Sequence, residues 1–191
     1  MNYTSIAISG LPGAGKSTLV KKLSDFLSWK TDSIGEMFRK KHEVWAIGRP
    51  EITFENYWAN HVTDKEIFQI NEEARKSLIK GRLILDSRYA PVNAKGLENT
   101  FLLFLTCPVE IRAERHKNKK QYLGKNEDEI IEHLNMREQE ELRRGQELYG
   151  KVFGGTFDYR NEKLYNLTID TSKLFPNQEA ELILKEMNTR Q

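Results

Sequence analysis

The chain has 191 residues, 38% hydrophobic and 30% charged, enough apolar material for one ordinary core under a heavily charged surface. Lys and Arg number 30 against 28 Asp and Glu, a net charge of +2 that argues against a nucleic-acid coat or a polybasic membrane anchor. The single cysteine, Cys107, excludes an internal disulfide framework, and the longest apolar runs (Phe101 to Leu105, for example) fall far short of the roughly 18 residues a membrane span needs.

In chain order, residues 5–9 are short and apolar and run into Gly10, the pattern of a buried strand. Residues 17–27 place Leu19, Val20, Leu23, Phe26 and Leu27 on one stripe of a helix. The strand signal at 30–33 is faint. Residues 63–80 read as a helix, and after Gly81 the run RLIL at 82–85 reads as a second strand. Residues 101–106 give a third, stopped by Pro108, and 165–169 a fourth, followed by a last helix at 177–187. Strands separated by helices predict a parallel sheet covered on both faces. No internal repeat or low-complexity tract occurs. The N-terminus, MNYTSIAISGLPG, lacks the parts of a signal peptide, so a cytoplasmic protein is expected.

Residues 112–151 behave differently, with ten Lys/Arg and nine Asp/Glu. Ile130, Ile131, Leu134 and Met136 support a helix there but not a core. The stretch is either a solvated helical face or a lid over a polyanionic ligand.

Residues 10–18 read GLPGAGKST and match G-x-x-x-x-G-K-[ST] at Gly10, Gly15, Lys16 and Ser17. An apolar strand leads in and an amphipathic helix leads out, as the motif requires. Gly10, Gly13 and Gly15 let successive N–H groups turn inward, and Leu11, Pro12 and Ala14 complete the loop. The helix start adds its positive dipole end. Lys16 supplies a point charge for the outer phosphates of ATP. Ser17, with Thr18 next to it, is placed to hold Mg²⁺. Asp86 closes the central strand, where it can hold water on the metal or orient an acceptor; the same position suits a turn cap.

A phosphate loop alone names no reaction. The N-K-x-D of GTPases and the L-S-G-G-Q of transport ATPases are both absent. Beyond the first helix the chain reads Ser33-Ile34-Gly35-Glu36-Met37-Phe38-Arg39. With this segment the chain resembles the nucleoside monophosphate kinases, most of all the short, archaeal-type cytidylate kinases. Asp64-Lys65-Glu66-Ile67 is similar to the family's acceptor-side helix. Residues 108–115 (PVEIRAER) resemble the stretch entering its lid, and Arg137-Glu138 through Arg143-Arg144 and Tyr149-Gly150 the return helix. Asp170-Thr171-Ser172 resembles the loop after the last strand.

The resemblance implies a three-layer P-loop α/β kinase fold over 1–191, with a five-stranded parallel sheet. An acceptor-binding segment would span about 33–80 and a short lid about 112–150. It implies ATP as donor with Mg²⁺ on Ser17 and Asp86, small-molecule nucleotides as partners, no nucleic acid or membrane, and a monomer. Asp170, Thr171 and Ser172 join the loop as ATP-binding residues. Ser33, Gly35, Glu36, Arg39, Asp64 and Arg88 would bind the acceptor. Arg39 can pair with its phosphate through two N–H groups, and Arg88, at the same end of the sheet, can hold that phosphate too. Arg112, Arg115, Arg137 and Arg144 join Lys16 and Asp86 as catalytic candidates, because phosphoryl transfer spreads negative charge over the moving group. Each lid arginine equally suits i,i+4 pairing with Glu138, Glu140, Glu141 or Glu147.

Two stretches depart from the family. Its usual E-G-R is Asp86-Ser87-Arg88 here, a change at the acceptor position. Trp45, Phe54, Tyr57 and Trp58 fit either core or a base-stacking wall. Cys107 reads as a small buried residue, and His42, His61, His116 and His133 show no metal-ligand spacing. The expected activity is phosphorylation of CMP or dCMP. A hydroxyl kinase with Asp86 as base, or a nucleotide-binding regulatory protein without turnover, would share the fold.

Overall fold

The computed structural model describes residues 3–49 and 51–189; Met1 and Asn2, the first residues of the N-terminal stretch that lacks signal-peptide features, lie outside it, as do Pro50, Arg190 and Gln191. One sheet holds β1 (Ser5–Gly10), β2 (Lys30–Ser33), β3 (Leu83–Asp86), β4 (Thr100–Thr106) and β5 (Leu167–Asp170), in spatial order β2-β3-β1-β4-β5. Every pairing is parallel. All of β1 is buried at the sheet centre, which is why its sequence runs apolar instead of alternating. β2, of sequence KTDS, is a half-exposed edge strand, and that accounts for its faint signal.

Two predicted strands begin later than expected. Arg82 turns left-handed (φ 55°), which keeps it outside β3. Ahead of β5, Glu162–Leu164 form a short 3₁₀ turn, and Asn166 pairs with Leu102 partly through its side chain: Leu102 N–H donates to Asn166 Oδ1 at 2.7 Å.

The helices are α1 (Lys16–Leu27), α2 (Ile34–Trp45), α3 (Phe54–Asn60), α4 (Asp64–Lys80), α5 (Ala90–Asn93), α6 (Val109–His116), α7 (Glu127–Tyr149) and α8 (Pro176–Thr189). α1 packs beside α8 and α4 beside α5, completing the expected three layers. Reciprocal caps fix two starts. Thr63 and Glu66 close the first turn of α4, and Asn126 and Glu129 that of α7. Trp45, Phe54 and Trp58 lie half-buried against the core, and Tyr57 is buried; Phe38 meets Trp58 edge-on at 4.7 Å. None of the helices described is long and apolar enough to cross a membrane.

The charged segment does have a core of its own, contrary to the sequence reading. Ile130 and Leu134 of α7 bury against Ala113 and Tyr122. The far half of α7 rides on the main core instead. A Cβ at Gly145 would lie 2.8 Å from the ring of Tyr89, which is itself buried. Gly145→Val is therefore expected to destabilise the fold by about 2 kcal/mol through overpacking, read as a lower urea midpoint with unchanged slope.

Candidate active site at the carboxyl edge of the sheet

Parallel pairing puts every strand's carboxyl end on one edge. Asp86 stands level with Ile8 of β1 and Ser33 of β2, while Gly10 stands level with Leu105 of β4. Ligands in such folds bind beyond this edge. The phosphate loop leaves β1 there. Gly10 has φ 155°, and a Cβ on it would lie 2.5 Å from the carbonyl oxygen of Leu105, so the loop can start only with glycine. Gly15, at φ 90°, is the N-cap of α1 and brings no side-chain cap, leaving the first amides of the helix open to an anion.

Lys16 Nζ donates to Gly10 O at 2.7 Å and Leu11 O at 3.1 Å. Arg88, from the loop after β3, donates through Nη1 to the same Gly10 oxygen at 2.8 Å. Two cations from separate elements thus share one carbonyl. Burial first, then Arg88, pushes the Lys16 ammonium down to about 7, with Asp86 and Glu141 acting against the shift and Arg137 with it. Glu141 and Asp86 compensate this cluster of Lys16, Arg88 and Arg137 only in part, since the Lys16 ammonium is still pushed down, and a bound anion would favour its charged form. Ser9 Oγ donates to the Arg88 carbonyl at 2.6 Å and holds its backbone against β1.

The α6–α7 hairpin closes over the loop. Arg112, only 4% exposed, donates through Nε to Cys107 O at 3.0 Å and through Nη1 to Pro12 O at 3.4 Å, and its Nη2 lies 3.4 Å from Glu138. Arg115 donates to Gly13 O at 3.3 Å, Thr171 Oγ1 at 3.0 Å and Thr171 O at 2.8 Å. Thr171 Oγ1 donates in turn to Ala14 O at 3.0 Å, tying the loop after β5 to the phosphate loop. Beside it, Asp170 accepts from Ser172 N–H and Oγ, and those bonds hold its carboxyl below the usual range. Arg137 Nε donates to Glu141 Oε1 at 3.0 Å, and Glu141 Oε2 lies 3.0 Å from Arg88 Nε.

Known proteins are similar to this chain to different degrees. Residues 6–143 match the family described as AAA domain. A protein named cytidylate kinase from Methanopyrus kandleri is 30% identical over 88% of this chain and 84% of its own length. Another of that name from Sulfurisphaera tokodaii is 30% identical over 96% and 94%. The chain belongs to the cytidylate kinase family. Among solved structures, shikimate kinase from Acinetobacter baumannii, in complex with shikimate, aligns over 99% of this chain and 95% of its own (TM-score 0.60, 17% identity). A gluconokinase from Sinorhizobium meliloti aligns over 97% and 91% (TM-score 0.57, 12% identity). These likenesses show the P-loop kinase fold.

Within the cytidylate kinase family frame, the remaining candidates separate into two places. Ser33 is the N-cap of α2: its hydroxyl accepts from Glu36 N–H at 3.3 Å. Glu36 Oε1 accepts from Arg39 Nε (3.1 Å) and Nη2 (2.6 Å), and a Cβ on Gly35 would touch that guanidinium at 3.4 Å. Lys119, in the turn between α6 and α7, is close enough to feel the charges of both Arg39 and Arg137. Burial and the charges of Arg137 and Arg39 push its ammonium below the ordinary value.

Arg144 and Asp64 are not gathered there. Arg144 lies seven residues past Arg137, about 10 Å further along α7. It donates to the carbonyls of Trp58 and Val62 at 2.9 Å each, with its guanidinium 4.8 Å over the Trp58 ring. Asp64 lines a surface groove with Arg144, Glu140 and Arg143. Lys119 carries no sequence signal of its own, and Glu138 and Glu141 are legible only as i,i+4 partners along a charged helix, a pairing that Arg137 and Glu141 do make. Among the described residues no group of three His, Cys, Asp or Glu side chains is placed to hold a metal ion.

Proposed function

We propose that the protein transfers the γ-phosphoryl group of ATP to the phosphate of a nucleoside monophosphate, with CMP or dCMP as acceptor. The observation that carries this is the single Gly10 carbonyl shared by Lys16 and Arg88. A donor-phosphate cation and an acceptor-side cation meet within hydrogen-bond reach of one atom, as direct in-line transfer needs. The names of the relatives support the choice of cytosine nucleotides.

In this reading residues 10–18 cradle the donor phosphates, and Lys16 leaves the Gly10 and Leu11 carbonyls for the outer phosphate. Arg88 and Arg39 hold the acceptor phosphate. Arg137 and Lys119 face the charge that develops on the moving group, while Arg112 and Arg115 seat the hairpin on the loop. The α6–α7 hairpin (112–150) is the lid that excludes water. The hydroxyl of Ser17, next to Lys16 in the chain, and the carboxylate of Asp86, whose charge acts on Lys16, are hard oxygen donors of the kind that fits Mg²⁺. When bound, Mg²⁺ would neutralise phosphate charge. No activated nucleophile is required of the protein, because the acceptor phosphate oxygen attacks.

The hydroxyl-kinase reading would recast Asp86 as the base. An ADP-release panel of all common monophosphates, their parent nucleosides, shikimate and gluconate separates the two. Preference for CMP or dCMP is expected; turnover confined to a hydroxyl compound would contradict it, and no turnover with any acceptor would favour the regulatory reading. Arg39→Ala is expected to raise the acceptor KM about tenfold with the ATP KM nearly unchanged. An unchanged acceptor KM would remove Arg39 from the acceptor set.

A further inference from the structure

Glu141 has no part in the proposed transfer, yet it touches two of its arginines. Oε1 accepts from Arg137 Nε, and Oε2 lies against Arg88 Nε, each at 3.0 Å. Glu140 and Glu147, which flank Arg143, are 51% and 59% exposed, whereas Glu141 is 15% exposed, and the similarly covered Glu138 of this helix pairs with Arg112 and Arg160 instead of with Arg88 or Arg137. Its Oε2 is buried without an aligned hydrogen bond. Burying a carboxylate is unfavourable unless charges compensate it. Here the compensating charges are one arginine of the sheet edge and one of the lid helix. The backbone is pinned as well, since Tyr89 OH donates to Glu141 O at 2.7 Å.

Both guanidiniums face Glu141 with their Nε, Arg137 through a hydrogen bond and Arg88 through an ion pair. Among the described residues no hydrogen bond engages the Nη groups of Arg137, and Arg88 commits only Nη1, to Gly10 O. We propose that Glu141 is a positioning residue: a fixed carboxylate that turns the Nη edges of Arg88 and Arg137 toward one anion and couples the seating of the lid to the acceptor arginine. The proposal rests on the phosphoryl-transfer reading. An arginine already held in place loses less freedom when the phosphate arrives and stabilises developing charge without reorganising.

The test compares Glu141→Gln and Glu141→Asp in the wild-type and Arg137→Ala backgrounds. Glu141→Gln is expected to lower kcat about 30-fold while both KM values stay within about threefold, with Glu141→Asp recovering part of the loss. In the Arg137→Ala background the loss should be about tenfold smaller, because the clamp has already lost one arm. Wild-type kcat in Glu141→Gln, or an equal loss in both backgrounds, overturns the proposal. A second readout does not depend on the acceptor. The Nε–H resonances of Arg88 and Arg137 should be protected from exchange in the wild type and lose protection together in Glu141→Gln; unchanged protection overturns the clamp. Failure of the wild type to phosphorylate any monophosphate would sink the acceptor reading alone.

Discussion

Lys16→Ala is expected to lower kcat by about 10³-fold or more, with the fold intact. In the absence of phosphate the ammonium rests on the Gly10 and Leu11 carbonyls, crowded by Arg88 and Arg137. Removing it relieves like-charge repulsion, so no unfolding is expected to mimic the kinetic loss. The pH dependence stems from the same crowding. In the folded chain Lys16 gives up its proton near pH 7, against about 10.5 in the unfolded chain. Between those values the unfolded state holds the extra proton, so stability rises with pH across that window, and Lys16→Ala removes the rise. A bound phosphate favours the charged form. ATP binding at pH 8 should therefore take up a proton, seen by calorimetry in buffers of different ionisation enthalpy, and should not do so in the variant. Proton-neutral binding by the wild type would contradict the assigned crowding.

Arg88→Ala is expected to cost more than any other single acceptor-side change. The side chain, 17% exposed, pairs with Glu141, bonds Gly10 O at 2.8 Å and lies 5.7 Å from the Tyr159 ring centroid. Among the described residues, its loss leaves the Glu141 carboxylate paired with Arg137 alone. Breaking a buried pair from one side costs about 3–5 kcal/mol, so thermal unfolding should move down by several degrees. Below the new transition, kcat/KM for the acceptor should fall about 10³-fold while ATP affinity changes little. Arg88→Lys keeps the charge but cannot reach Gly10 and Glu141 together, and should recover only part of the loss. A variant with a native melting point and native acceptor kinetics would place Arg88 outside the site.

Much of this was legible in the sequence, for identifiable reasons. β1 and β4 lie inside the sheet, so burial forces apolar runs that cannot be mistaken. The phosphate loop is local: its chemistry depends on backbone angles that Gly10 and Gly15 announce by themselves. β2 was faint because an exposed edge strand has little reason to be apolar. The α6–α7 segment was only half legible. Its cluster of Ala113, Tyr122, Ile130 and Leu134 draws on residues spread over α6, the turn and α7, so no single window shows a core.

The proposed acceptor side was the least legible, because its geometry is made by distant pairs. Ser87 replaces the glycine of the family pattern, and nothing near it in sequence says why. The fold supplies a partner: Ser87 Oγ donates to Asn93 Oδ1 at 2.6 Å, Asn93 to Asn71 at 2.6 Å, and Asn71 to Tyr149 OH at 3.1 Å, a buried chain running from the end of β3 to the end of α7. Arg137 and Arg144 looked equivalent as members of one charge run. Two turns of helix separate them, and that distance sends one to Glu141 and the other to the α3–α4 turn.

The central claim is that the backbone cradle around Lys16 and the guanidinium cradle around Arg88 open onto one another. It is tested most directly with a single molecule carrying adenosine and cytidine joined through five phosphates. One-to-one binding far tighter than that of ATP or CMP is predicted, displaced by either nucleotide and weakened by both Lys16→Ala and Arg88→Ala. Binding no tighter than ATP, displaced by ATP alone and indifferent to Arg88→Ala, would contradict it.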